Sequence, residues 1–232
     1  MTRDEFLDKL NLAVKSNTIY IKGCFGAPLN EKNKKRYTNN LQYNKNRSDL
    51  INACDVNVFG FDCVNLIKGI LWGWSANKNK TYGGANYKSN GVPDTNADGI
   101  MAYCDYVSDD FSKIEEGNIV WIEGHVGVYV GYGRVIECTP KWNNCVQYTY
   151  LGNITNRDDN EHVRTWKKHG KLKFVEYPSH IIKSDEVWHT VTKGDSLYKI
   201  GKVYGVPWKD IAALNGIKAP YIIRIGQRIR IK

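Results

Sequence analysis

Gly60-Phe61-Asp62-Cys63-Val64-Asn65-Leu66-Ile67-Lys68-Gly69-Ile70-Leu71-Trp72-Gly73-Trp74 reads as a turn that delivers one cysteine onto the first turn of a buried helix. Cys63, Ile67, Ile70, Leu71 and Trp74 recur at steps of three or four, so one helical face is apolar. Asp62 carries the side chain of a helix N-cap. A thiol placed just after it lies among unpaired N–H groups at the positive end of the helix dipole, which favours the nucleophilic thiolate. Two readings of Cys63 stand side by side: an attacking thiolate, or a buried small hydrophobe, the usual fate of a free cysteine.

The 232 residues suffice for one sizeable domain and a small one. No stretch approaches the roughly 20 apolar residues of a membrane span, so no membrane insertion is expected. Residues 1–20 lack the continuous apolar core of a secretory signal, which implies synthesis in the host cytoplasm and another exit route for any action at a cell wall. The six cysteines, at 24, 54, 63, 104, 138 and 145, contain no Cys-x-x-Cys pair, so neither a zinc site nor a redox motif is indicated, and reduced thiols are the default. Net charge is +9, and the tail from Glu186 to Lys232 holds nine Lys or Arg against three acids. That bias suits a polyanionic partner, either nucleic acid or an anionic wall, and is equally the mark of a well-solvated surface.

Along the chain, residues 4–16 predict an amphipathic helix, 18–28 a short apolar run ending in a glycine-rich turn, and the Asn- and Lys-rich stretch 30–46 a solvated loop. Residues 75–98 predict loop and 100–106 a short helix. Strands are expected at 118–122, 125–130, 135–138, 146–151 and 172–177. Helices first and strands afterwards predict an α+β domain over 1–177, with a polar linker at 178–186 and a small domain at 187–232.

A cysteine nucleophile needs a base, and of the five histidines only His125 begins a strongly apolar strand just after a turn. The base needs a polar group to orient it, and Glu137 is the candidate. If Gly131-Tyr132-Gly133 forms the hairpin loop, Val130 pairs with Arg134 and Glu137 becomes the diagonal neighbour of His125. A two-residue loop would present Cys138 instead.

Phe61-Asp62-Cys63 at a helix start, Gly117-Asn118-Ile119-Val120, His125-Val126-Gly127-Val128-Tyr129-Val130-Gly131 and Val135-Ile136-Glu137 together resemble the NlpC-type, papain-like cysteine hydrolases of bacterial peptidoglycan. The resemblance implies a papain-like fold with the helix-borne cysteine packed on an antiparallel sheet. It implies amide hydrolysis by Cys63, His125 and Glu137 without metal or cofactor, twelve positions after the histidine being the family's place for the third residue. That residue is usually His or a neutral polar side chain; Glu still accepts the imidazole N–H and stabilises imidazolium more strongly. Val64 and Asn65 replace the small residues that commonly follow the cysteine. Tyr20-Ile21-Lys22-Gly23-Cys24 corresponds to the family's Tyr-x-x-Gly-Gly element, which makes Tyr20 either a contact to substrate or oxyanion or a core tyrosine.

In the tail, Asp195 or Ser196 can cap a helix carrying Leu197, Ile200 and Val203, Pro207 suits a second helix start, and 223–231 alternates isoleucine as a half-buried strand. Lys193-Gly194-Asp195-Ser196-Leu197, Leu214-Asn215-Gly216 and Ile225-Gly226-Gln227 resemble a LysM module. This implies a βααβ unit that binds N-acetylglucosamine polymers between Gly194, Asp195, Ser196 and Leu197 on one side and Pro220, Tyr221 and Ile222 on the other, with Asn215 structural. A single copy serves to concentrate an enzyme on its polymer. The combined expectation is a peptidoglycan hydrolase cutting the stem peptide, of the kind phage and prophage endolysins represent, with D-glutamyl–diamino acid cleavage ahead of muramoyl–L-alanine cleavage. A catalytically silent wall-binding protein is the alternative. Nucleic acid is not the expected partner, because the basic strand lacks interleaved aromatics.

Overall fold

Thr2 opens the first helix, α1 (Arg3–Lys15), by a capping box: its hydroxyl accepts from the Glu5 N–H at 3.2 Å while the Glu5 carboxylate accepts from the Thr2 N–H at 2.9 Å. Phe6, Leu10 and Ala13, spaced by four and three, are the buried residues of α1. The computed structural model describes residues 1–154, 162–178 and 187–231, and the chain forms two units, Met1–Tyr177 and Pro178–Lys232. The linker expected at 178–186 lies, apart from Pro178, outside the described residues.

In the first unit, α1 is followed by β1 (Thr18–Tyr20), β2 (Phe25–Pro28), α2 (Glu31–Asn40), α3 (Gln42–Lys45), α4 (Ser48–Asn52), β3 (Phe59–Phe61) and α5 (Cys63–Leu71). A 3-10 turn at Gly99–Tyr103 leads into β4 (Cys104–Ser108), and a second at Phe111–Lys113 precedes β5 (Ile119–Ile122), β6 (His125–Tyr129), β7 (Arg134–Thr139), β8 (Cys145–Leu151), β9 (Val163–Arg164) and β10 (Lys168–Leu172). A small sheet has the order β1-β3-β2, and a large one the order β4-β10-β5-β6-β7-β8-β9, antiparallel except for the β8–β9 pair. The unit is therefore α+β, with α5 packed between the two sheets, against β2 on one side and β6 and β7 on the other.

Every residue of α5 is buried, not one face alone as its periodicity predicts. A Cβ on Gly69 would stand 2.7 Å from the Phe25 carbonyl oxygen, so this position lets the helix sit directly on β2. Lys68 survives burial because its ammonium reaches the Asp94 carboxylate and the Thr95 carbonyl, the latter at 2.6 Å.

Three further local expectations fail in this unit. Residues 30–46 are not a solvated loop but α2 and α3, because their polar side chains satisfy distant backbone. Asn33 donates to the Pro28 carbonyl at 2.8 Å, Lys34 to that of Asn52 at 3.1 Å, and Asn44 both accepts from and donates to the backbone of Lys22. Residues 172–177 hold only the last residue of β10, which lies in the polar-looking stretch before them. There His169, fully buried, is satisfied by Asn118 at 3.0 Å and the Asp110 carbonyl at 3.1 Å. The helix expected at 100–106 is a 3-10 turn that passes into β4, whose pairing with β10 supplies the hydrogen bonds a longer helix would have made.

The second unit runs β11 (Trp188–Thr190), α6 (Leu197–Tyr204), α7 (Trp208–Leu214) and β12 (Arg228–Arg230), with β11 and β12 antiparallel. Val191, Leu197, Ile200, Ile211, Ala212, Ile229 and Ile231 form its core. The final strand covers only 228–230 of the expected 223–231, since Gly226 at φ 84° turns the chain just ahead of it.

Candidate functional site

Cys63 is the first residue of α5. Its N-cap, Asp62, accepts from the Asn65 N–H and the Asn65 amide at 2.8 Å each, and from the Gly23 N–H at 2.7 Å. Asp62 thereby pins the turn that carries the thiol to the loop after β1. The backbone N–H of Val126, the residue after His125, donates toward the Cys63 sulfur, so the head of α5 meets the start of β6. The helix start does not make a resting thiolate here. Burial, and then the Asp62 carboxylate, push the Cys63 thiol up to about 12, against the pull of the N–H groups of Val126, Val64 and Cys63 itself. The expectation of a dipole-favoured thiolate is corrected: desolvation outweighs the dipole at a cysteine this buried.

The β6–β7 hairpin pairs Val128 with Ile136 and Tyr129 with Val135, and the Val130 N–H extends the ladder by donating to the Arg134 carbonyl at 2.9 Å. This is the register of the three-residue loop, and it sets Glu137 diagonal to His125. His125 Nε2 lies 2.5 Å from Glu137 Oε2. The ionised carboxylate only accepts, so Nε2 carries a proton, and in the neutral ring Nδ1 is the accepting nitrogen. Glu137 has no exposed surface. Burial works to raise its pKa, yet the bond to His125, the His125 charge and Arg164 outweigh that and hold the carboxyl below its ordinary value.

Three residues at this site escape the sequence reading. Arg164 Nε lies 3.1 Å from each Glu137 oxygen and its Nη2 3.0 Å from Oε2, while the Thr149 hydroxyl donates to Oε1 at 2.7 Å. Trp166 stacks on the His125 ring, centroids 5.6 Å apart and planes 15° off parallel. A signal for Thr149 exists: Glu137 pairs with Gln147, so Thr149, two residues on, shares its face. Nothing local marks Arg164, whose short strand joins the sheet edge by parallel pairing with β8.

Tyr20, at the end of β1, lines a hollow of about 210 Å³ together with Cys63, Asp98 and Gly124. A neighbouring hollow of about 370 Å³ shares Lys22, Asp62, Val64 and Asn96 with it, and the two form a groove past the thiol. Burial first, then the charges of Asp62 and Cys63, push the Tyr20 phenol upward, so it remains a donor at all ordinary pH. Asp98 accepts from the Gly124 N–H at 2.7 Å and from Trp121 Nε1 at 3.0 Å, which fixes the turn leading into His125.

In the second unit Ser196, not Asp195, caps α6, accepting from the Lys199 N–H at 3.2 Å. Asp195 closes the preceding turn instead: it accepts from the Thr192 N–H at 2.7 Å, the Thr192 hydroxyl at 2.9 Å and His189 Nε2 at 2.9 Å. Led by the His189 bond, these hold its carboxyl down to about 2. Gly194, at φ 93°, supplies a backbone conformation that side-chain-bearing residues rarely adopt. Leu197 is 4% exposed and packs in the core, which limits any sugar contact there to backbone. Past Pro220, Tyr221 meets Trp208 edge-on at 5.1 Å, and Ile222, 69% exposed, borders a hollow with Arg224 and Gln227. Asn215 locks α7 to β12, accepting from the Arg230 N–H at 2.7 Å and donating to the carbonyls of Arg230 and Ile211 at 2.5 and 2.8 Å.

Residues 189–232 are a LysM domain. LysM domains bind peptidoglycan through its N-acetylglucosamine. The LysM region is 44% identical over 43 residues to the uncharacterized lipoprotein YgeR of Escherichia coli K12, and 48% identical over 42 residues to a lipoprotein NlpD/LppB homolog of Pseudomonas aeruginosa. Each match covers 18% of this chain, and 17% and 14% of the two relatives, so the chain spans under a fifth of either. Both relatives are named lipoproteins, a class made with a leader and anchored in a membrane. That overturns the expectation of leaderless synthesis in a host cytoplasm. The matches lie in the LysM region and do not reach Cys63, His125 or Glu137. Among the described residues no helix is long and apolar enough to cross a membrane.

Proposed function

We propose that the first unit is a papain-like cysteine hydrolase of the NlpC type that cuts an amide bond of the peptidoglycan stem peptide, and that the LysM domain holds it on its polymer. The observation that carries this reading is the His125–Glu137 bond at 2.5 Å, formed on a fully buried carboxylate beside the strand start that meets the Cys63 thiol. With Glu137 on Nε2, Nδ1 of His125 takes the thiol proton as the sulfur attacks the carbonyl carbon. The Cys63 backbone N–H at the head of α5 and the protonated Tyr20 hydroxyl, which shares the hollow with the thiol, stabilise the oxyanion. The imidazolium then protonates the leaving amine, and water, activated by the same ring, hydrolyses the thioester. Because the thiol is pushed up to about 12, the proton moves during attack and not beforehand.

The bond we assign is that between D-glutamate and the diamino acid, with muramoyl–L-alanine cleavage as the competitor; masses of muropeptides released from purified walls distinguish the two. The reading as a whole is tested with Cys63→Ala. Loss of wall solubilisation with retained wall binding supports it, and undiminished solubilisation refutes it. One observation favours a second reading, a wall-binding protein with a silent catalytic domain: burial and Asp62 both work against ionising the thiol. Wall solubilisation by the unmodified protein, absent in Cys63→Ala, excludes that alternative.

A further inference from the structure

Glu137 is held from three directions. His125 Nε2 and Arg164 Nη2 both sit on Oε2, at 2.5 and 3.0 Å, Arg164 Nε lies 3.1 Å from each oxygen, and Thr149 occupies Oε1. The arginine side chain is 16% exposed and its guanidinium lies over the rings of Trp142 and Trp166, at 5.1 and 5.5 Å. Trp166 is also the ring that stacks on His125. One aromatic wall therefore sets the guanidinium and the imidazole against the same carboxylate.

A buried carboxylate touching an imidazole with no other partner favours the imidazolium by roughly one to three pK units. An imidazole kept protonated cannot take a proton from a thiol. The other ionisable groups around the pair do not offset that effect: Cys63 and Asp62 at the head of α5, Tyr20 on β1 and Asp98 beneath the Gly124 turn carry no positive charge, and Lys22, the cation lining the same hollow, sets its ammonium over the Tyr43 ring, 5.8 Å from the centroid. Lys141 and His162 lie against the ring of Trp142. Arg164 alone among these brings a positive charge onto the carboxylate itself. Its planar fork spans both oxygens, which a lysine ammonium cannot do.

Building on the proposed roles of Cys63 and His125, we propose that Arg164 is a positioning residue that offsets the Glu137 charge, so that the carboxylate orients His125 without keeping it protonated. A glutamate can then stand where a neutral side chain is usual, because glutamate and arginine together present a neutral acceptor to the ring.

The test uses the full chain in two assays. In the first, the pH–rate profile of wall solubilisation is compared between the parent and Arg164→Met. The limb on which rate rises with pH is expected to move up by about one unit, which lowers kcat/KM about tenfold below it. Arg164→Lys, which keeps charge without the fork, is expected to restore most of the limb's position. In the second, carried out in a Cys63→Ala background, the ring resonances of His125 are followed against pH by NMR. Their midpoint is expected to rise by about one unit when Arg164→Met is added. This readout needs no catalysis, so an inactive parent refutes the proposed function and leaves the Arg164 test standing. A midpoint that does not move in folded Arg164→Met overturns the proposal. Should that variant fail to fold, Glu137→Gln with Arg164→Met, which leaves no buried charge unpaired, decides the matter: a midpoint at the parent's pH supports the proposal, and one displaced by about a unit overturns it.

Discussion

Replacing Glu137 by Gln keeps the side chain's shape and removes its charge from a site with no exposed surface. In the native protein the two oxygens receive His125 Nε2, the Thr149 hydroxyl and both Nε and Nη2 of Arg164. The amide of Gln has one acceptor oxygen and turns an NH2 toward donors, so at least one of these bonds is lost and Arg164 is left without its counter-charge. Breaking a buried ion pair by removing one partner costs about 3–5 kcal/mol. Arg164 is 16% exposed, and the water that reaches it places the cost at the lower end, about 3 kcal/mol. For a unit of this size that is a fall in Tm of roughly 6–12 °C. The measurement is thermal unfolding of the full chain followed by near-UV circular dichroism at pH 7.5 and again at acidic pH. Glu137 has a folded pKa below its unfolded value, so its stabilisation is present above the ordinary carboxylate range, near 4.3, and is lost as pH falls through the folded value. The gap between parent and variant therefore narrows in acid. A Tm within about 2 °C of the parent at pH 7.5 would refute the buried pair, and a gap independent of pH would assign the loss to packing and not to charge.

Cys63 is expected to react with iodoacetamide at pH 7.5 more slowly than a small free thiol, because burial and Asp62 hold it protonated up to about 12. Fast alkylation at pH 6, located by mass spectrometry, would mean a preformed ion pair and refute the concerted proton transfer. Tyr20→Phe, which removes one donor from the groove and little volume, is expected to lower kcat by about 10²-fold with KM nearly unchanged; an unchanged kcat makes Tyr20 a packing residue. Asn215→Ala removes two hydrogen bonds that tie α7 to β12 and a third to the Ile211 carbonyl within α7, and is expected to destabilise the LysM domain by about 2 kcal/mol and weaken retention on purified peptidoglycan. Retention equal to the parent at 37 °C would show that the module does not depend on this tie.

Much was legible in the chain without its fold. Asp62 before an apolar helical repeat marked the head of α5, since capping and periodicity are satisfied within a few residues. Gly131-Tyr132-Gly133 offered the three-residue loop that places Glu137 diagonally behind His125, beside a two-residue loop that would have presented Cys138, and the fold takes the first. The LysM signature residues are turns and caps, and Gly194 and Ser196 act within their own neighbourhood. What local pattern missed was polar and non-local. Asn33, Lys34 and Asn44 look like solvated residues until the backbone of Thr81, Asn52 and Lys22 is brought to them. Arg164 meets Glu137 only because β9 joins the sheet beside β8. The ionisation of Cys63 belongs to the same class. The sequence places the thiol on a helix N-terminus, which is a local matter of spacing and capping. Only the packing of two sheets around α5 decides how little water reaches that thiol, and the loss of water weighs more in its ionisation than the helix dipole does.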